Sequence, residues 1–181
     1  MAATRSSLRL LSMISVGVVA IGLALPASAE SRGDPTPEGT TAPSNDNFNN
    51  ALPLGIGDFG GLTTVGATVQ SGEPVRVEPY LQGATVWFRF TPRRAGRMRI
   101  STRGTDFDHV LAVWRGPSVR SLTLVAADST LHKSGPAFSR VVFHVQRNVT
   151  YRVDVGGYPD CCQPAEGNIT LHRYWVEPVN S

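Results

Sequence analysis

The chain has 181 residues, 41% of them hydrophobic and 17% charged, and its 17 Lys+Arg against 14 Asp+Glu give a formal net charge of +3. That length holds one ordinary domain with its own core, and so small a charge gives no ground for a nucleic-acid partner. Lys133 is the only lysine, so nearly every cation is an arginine with a planar, bidentate-capable head.

The chain opens with Arg5 and Arg9, runs through an apolar stretch from Leu10 to Leu25 and closes with Pro26-Ala-Ser-Ala29. A basic start, an apolar middle and an Ala-x-Ala end predict a cleavable signal peptide over 1–29. The apolar stretch is shorter than the ~20 residues that span a bilayer comfortably, so no membrane span is expected after cleavage near Ala29. Cleavage removes two arginines and no acid, which leaves 15 − 14 = +1. No Cys stands near the cut to take a lipid, and no Arg-Arg pair precedes the apolar run. The expected location is extracellular or in the cell envelope.

Residues 30–44 are rich in Pro, Thr and Gly and lack any large apolar side chain, which predicts a disordered linker. The Arg32-Gly-Asp34 tripeptide within it is read as chance. A short helical turn is expected over Asp46–Leu52, with Ser44 or Asn45 as its cap.

From Phe48 onward the pattern is β. Leu62–Val69 alternates weakly. Thr85–Phe90 sets Val86, Phe88 and Phe90 on one face and Trp87 and Arg89 on the other. Arg97–Arg103 alternates cleanly, with Met98, Ile100 and Thr102 opposite Arg97, Arg99, Ser101 and Arg103, as in a half-buried antiparallel strand with one wet face. Strands are also expected over His109–Trp114, Ser121–Ala126, Phe138–Val145, Val149–Val155 and Asn168–Tyr174. Gly, Pro and Asn punctuate them at Pro92–Gly96, Arg103-Gly104, Gly116-Pro117, Ser134-Gly-Pro136, Gln146-Arg-Asn148 and Gly156-Gly157. About eight short strands without an amphipathic helix predict an all-β antiparallel sandwich or jelly roll over 45–175, followed by a tail over 176–181.

Seven segments occur in order: Asn45-Asp-Asn-Phe48, Thr64-Val-Gly-Ala-Thr68, Ser71-Gly-Glu-Pro74, Thr85-Val-Trp-Phe-Arg-Phe-Thr-Pro92, Thr105-Asp-Phe-Asp-His-Val-Leu-Ala-Val-Trp114, Ser121-Leu-Thr-Leu-Val-Ala126 and Glu166-Gly-Asn-Ile-Thr-Leu171. As a set, over roughly 45–172, they resemble the secreted bacterial β-sandwich domains related to the bacterial pre-peptidase C-terminal domain. The resemblance implies an extracellular accessory module, commonly attached to proteases or surface proteins. It also implies a calcium site near the N-terminal Asn/Asp segment, here Asn45 and Asp46, with Glu73 and Glu78 the nearest acids to complete it.

Asp106-Phe-Asp108 is a second acidic turn of the kind calcium's oxygen-rich shell uses. The competing reading makes Asp46 a cap and gives Asp106 and Asp108 to turn amides. Cys161 and Cys162 are adjacent; they form either a strained vicinal disulfide stiffening the Pro159–Pro164 loop or intermolecular bridges. Two cysteines supply too few ligands for zinc, and Cys-x-x-Cys is absent. His109, His132, His144 and His172 fall at no metal-ligand spacing. No Gly-x-Ser-x-Gly elbow and no phosphate loop is present. Trp87 and Trp114 lie inside apolar strands and read as core, whereas Tyr158 and Trp175 lie near loops or strand ends and are the aromatics expected to meet a ligand. The sequons Asn148-Val-Thr150 and Asn168-Ile-Thr170 carry no weight.

These features predict a secreted, non-enzymatic binding module that needs no cofactor, with a cell-wall glycan or extracellular protein as partner. A calcium-stabilised structural module is the alternative, and a secreted hydrolase the third reading.

Overall fold

A computed structural model describes residues 40–77, 79–131, 138–160 and 163–177. The predicted signal peptide, the linker before Thr40, Glu78, His132, Lys133, the Ser134-Gly-Pro136 turn, the Cys161–Cys162 pair and residues 178–181 lie outside the described residues.

The chain is all-β. In order the strands are β1 (Leu52–Pro53), β2 (Gly57–Thr63), β3 (Arg76–Val77), β4 (Tyr80–Leu81), β5 (Gly83–Phe90), β6 (Gly96–Ser101), β7 (His109–Arg115), β8 (Thr123–Ser129), β9 (Arg140–Val145), β10 (Tyr151–Gly157), β11 (Pro159–Asp160), β12 (Gln163–Pro164) and β13 (Asn168–Val176). A five-stranded sheet runs β1-β5-β10-β7-β8 and a four-stranded sheet runs β2-β13-β6-β9; β3-β4 and β11-β12 are small hairpins. All pairings in the two large sheets are antiparallel except β1 with β5.

The two sheets form a sandwich because each contributes one apolar face to a single core. Val86, Phe88 and Phe90 of β5, Leu111 and Val113 of β7, and Val153 and Val155 of β10 meet Met98 and Ile100 of β6, Val141, Phe143 and Val145 of β9, and Ile169 and Leu171 of β13. The alternation in β6, β9 and β13 gives the four-stranded sheet one buried face and one wet face. In contrast, β5, β7 and β10 are buried almost throughout. Their second face carries a smaller core of Trp87, Val110, Ala112 and Trp114, covered by Phe48, Ala51 and Val77.

Several expectations change. The strand expected over Leu62–Val69 forms earlier, at Gly57–Thr63, and the chain leaves it at Thr64. Gly57 and Gly61 take positive φ there, and so Gly-rich a stretch hides its strand from a propensity reading. The helical turn is a single 3-10 turn, Phe48–Asn50, with Asn47 at its N-cap and no side-chain capping bond. Asn45 instead donates Nδ2 to the Trp87 carbonyl at 3.1 Å. β13 runs two residues past the expected Tyr174, to Val176, and Gly156-Gly157, expected as a turn, ends strand β10 instead. The last part of the expected linker also touches the domain, since Asp46 N–H donates to the Pro43 carbonyl and Thr40 lies against Gly66.

The turn at Gln146–Val149 closes with Asn148 at φ 60°, a conformation Asn tolerates better than most residues. At Gly157 a Cβ would stand 1.7 Å from the Ala165 carbonyl oxygen, so only glycine lets the chain before β13 cross the end of β10.

Candidate functional site

The wet face of the four-stranded sheet gathers Arg99, Arg103 and Arg140 around one groove. Register places Asp58 of β2, His172 of β13, Ser101 of β6 and Arg140 of β9 side by side in one row. The next row holds Tyr174, Arg99 and Val142, and a third holds Val176, Arg97 and His144. An open groove of about 380 Å³ runs across the first two rows, with Arg103 and Phe138 also on its wall.

Its acid is occupied. Asp58 Oδ1 accepts the Tyr174 hydroxyl at 2.6 Å and faces His172 Nδ1, while His172 Nε2 meets the Arg103 carbonyl at 2.7 Å. The Tyr174 hydroxyl, followed by His172, holds the Asp58 carboxyl below its ordinary range, and the same bond raises the Tyr174 phenol. Arg99 sits 5.9 Å from the centre of the Tyr174 ring. Arg99, Arg103 and Arg140 form no ion pair with a described acid; near Arg140, the Asp128 carboxylate accepts its backbone N–H at 2.7 Å. Three guanidinium groups against one carboxylate make the groove a positive strip with an aromatic wall. Such a strip can take carboxylate, phosphate or sulfate groups in planar, two-bonded contacts.

Ser101, His172 and Asp58 share this groove, which is the composition of a hydrolytic triad. The geometry differs. In a triad one histidine nitrogen faces the carboxylate and the other the serine hydroxyl. Here the second nitrogen is committed to the Arg103 carbonyl, and the serine is left without a base.

The residues singled out from sequence occupy other places. Asn45 and Asp46 are buried beside the second core. Asp46 accepts Thr68 N–H at 2.6 Å and the Thr68 hydroxyl at 2.7 Å. Asp106 accepts both the backbone and side-chain N–H groups of Asn168, at 2.8 and 2.9 Å, which lowers its pKa. Asp108 accepts the Thr130 hydroxyl at 3.1 Å. Among the described residues no three His, Cys, Asp or Glu side chains converge as a metal would need. Tyr158 is half-buried, and its backbone bridges the Asp108 carbonyl and the Ala165 N–H. Trp175 is half-buried at one end of the sandwich, with the Arg94 guanidinium 4.3 Å above its ring. Glu73 accepts the Trp87 indole N–H at 2.6 Å and also bonds the Thr85 hydroxyl; burial raises its pKa.

Sequence reading passed over Arg99, Arg140, Tyr174 and Asp58 as a site. The alternation of arginines in β6 is visible in the sequence, but its adjacency to Arg140 and Tyr174 depends on strand order, and Asp58 lies in the glycine-rich strand. Compared with known proteins, the chain matches no family model, no curated protein and no solved structure.

Proposed function

We propose that this chain is a secreted, non-enzymatic binding module whose sheet face recognises an anionic polymer of the extracellular space or cell envelope, an acidic glycan in the first place. The carrying observation is the groove of Arg99, Arg103 and Arg140 beside Tyr174, where the cations lack acid partners among the described residues. Arg99 and Arg140 stand on neighbouring strands, about 5 Å apart, and in successive rows, about 7 Å apart along the strands, so their heads can follow an extended chain that bears repeated charges. The signal-like leader and the ordered motifs resembling the pre-peptidase C-terminal domain support export and an accessory role. The committed His172 gives no support to hydrolysis.

Co-sedimentation with an insoluble acidic polysaccharide and with an uncharged one tests the reading. The acidic polymer should retain the protein, with affinity falling as salt rises, and Arg99→Ser with Arg140→Ser should release it. Equal retention on both polymers, or retention unchanged in the double variant, rejects the groove. A mature N-terminus upstream of Glu30 rejects the export step.

A further inference from the structure

Arg173 is an arginine on the inward-facing row of β13, following Ile169 and Leu171. Its side chain enters the end of the sandwich, and only 7% of the residue is exposed. The guanidinium lies 4.5 Å from the centre of the Phe90 ring, and its Nε and Nη1 are buried with no hydrogen-bond partner. Buried charges ordinarily find an opposite charge, because removing one from water without compensation is costly. Among the described residues, no acid lines the pocket beside it. The nearest pairing is at the rim, where Arg94 meets Glu177 at 3.3 Å, and both of those side chains are exposed.

The space beside Arg173 is a pocket of about 400 Å³, at the lower end of the range for small-molecule sites. Ile56, Pro92, Met98 and Trp175 supply apolar walls, and Arg94 lies over the indole at the mouth. An unpaired cation at the base and an aromatic side wall together define the complement of this cavity: an oxyanion joined to a compact apolar body.

We infer that the sandwich end binds a small organic carboxylate, its oxygens on the Arg173 guanidinium and its hydrocarbon or aromatic part between Trp175 and Met98. Burial draws the Arg173 pKa down to about 10, so the group stays charged at neutral pH and the anion has a cation to meet. This site is separate from the wet-face groove and does not depend on what binds there.

Three probes separate the elements of the inference. Phenylacetate has both parts, 2-phenylethanol has the body without the charge, and acetate has the charge without the body. Of the three tryptophans only Trp175 lines this pocket, while Trp87 and Trp114 are buried elsewhere, so a ligand-induced change in intrinsic fluorescence is assigned to Trp175. Phenylacetate should change that fluorescence saturably and raise the melting temperature, with 2-phenylethanol and acetate each at least tenfold weaker. Arg173→Met keeps the apolar packing and should bring phenylacetate down to the level of the alcohol. Arg99→Ser with Arg140→Ser should leave phenylacetate binding unchanged, even if those changes abolish polymer retention. The inference is overturned if phenylacetate binds no more tightly than the alcohol, or if Arg173→Met binds it as the parent does. Should Arg173→Met fail to fold, the comparison of the three probes on the parent protein decides alone.

Discussion

The five-stranded sheet is covered on both faces, while the four-stranded sheet leaves one face to water. Their polar groups differ accordingly. Around the outer face of the five-stranded sheet every buried acid is tied to neutral donors: Asp154 accepts Trp114 Nε1 at 2.9 Å and Gln82 Nε2 at 2.7 Å, and Glu73 accepts Trp87 and Thr85. On the wet face Arg99, Arg103 and Arg140 form no ion pair with a described acid. The first sheet uses its polar residues to fix one packing; the second has polar residues left over for recognition. Asn45, Trp87 and Trp114 lie in or against the first sheet's outer layer, so these residues account for folding before they account for binding.

The largest effect that separates the two regions is Trp87→Ala. Trp87 is fully buried, stacks edge-on to Phe48 with ring centres 5.4 Å apart and donates to Glu73. Truncation removes a large apolar surface and one of the donors to a buried carboxylate, for an expected loss of about 3–5 kcal/mol. The urea midpoint should fall steeply. A loss below about 1 kcal/mol would mean that the outer layer is an appendage rather than a second core.

Asp154 gives the next effect, and it has a sign. Burial raises its pKa from 3.8 to about 7 against the opposing Trp114 and Gln82 bonds. Below pH about 4 both the folded and unfolded chains hold the proton. Between about 4 and 7 only the unfolded chain gives it up, so this residue's contribution to stability falls as pH rises through that window. The difference is on the order of 4 kcal/mol from end to end. Asp154→Asn should flatten this slope at a cost in stability that does not change with pH, because Gln82 Nε2 donates both to residue 154 and to the Pro74 carbonyl and cannot turn over to accept the new amide without losing the second bond. Stability measured by urea at pH 4.5, 6 and 7.5 for both proteins checks the slope; identical slopes would remove Asp154 as its source.

The inner strands were legible because Thr85–Phe90 and His109–Trp114 are continuous β-branched and aromatic runs. The half-wet strands were legible because Arg97–Arg103 alternates. β2 was misplaced because glycine carries no pattern, and the two-residue strands are too short for periodicity to register. The candidate site was visible only in part. Trp175 stands out as an aromatic near a strand end, but Arg173 reads as one more outward cation until the parity of β13 puts it in line with Ile169 and Leu171. Parity alone marks Arg173; the absence of an acid across the core is a fact of three dimensions.

A smaller effect is expected from the wet face. Arg99 and Arg140 are exposed and unpaired with described acids, so Arg99→Ser and Arg140→Ser should each move stability by no more than about 0.5 kcal/mol. The pair together should nevertheless abolish retention on an acidic polymer. Loss of binding with an unchanged melting temperature is the outcome that separates recognition from folding on this sheet. A parallel loss of both would place these arginines in the framework instead.

The smallest effect concerns calcium. If the ion bound the folded chain at a hundredfold excess over its Kd, it would add about 2.7 kcal/mol and raise the melting temperature by several degrees. The acids that sequence nominates are already engaged. Both oxygens of Asp46 face the N–H and hydroxyl of Thr68, and both oxygens of Asp106 face N–H groups of Asn168. Hydrogen-bond donors aimed at a carboxylate present their positive ends where a cation would sit. Melting in millimolar calcium should therefore match melting in EDTA to within about one degree. A shift of several degrees would require Asp46 or the Asp106–Asp108 turn to exchange these donors for the ion. Replacing Thr68 by Val, which removes a competing hydroxyl from Asp46, would then enlarge the shift if Asp46 is the ligand and leave it unchanged if the ion sits at the other turn.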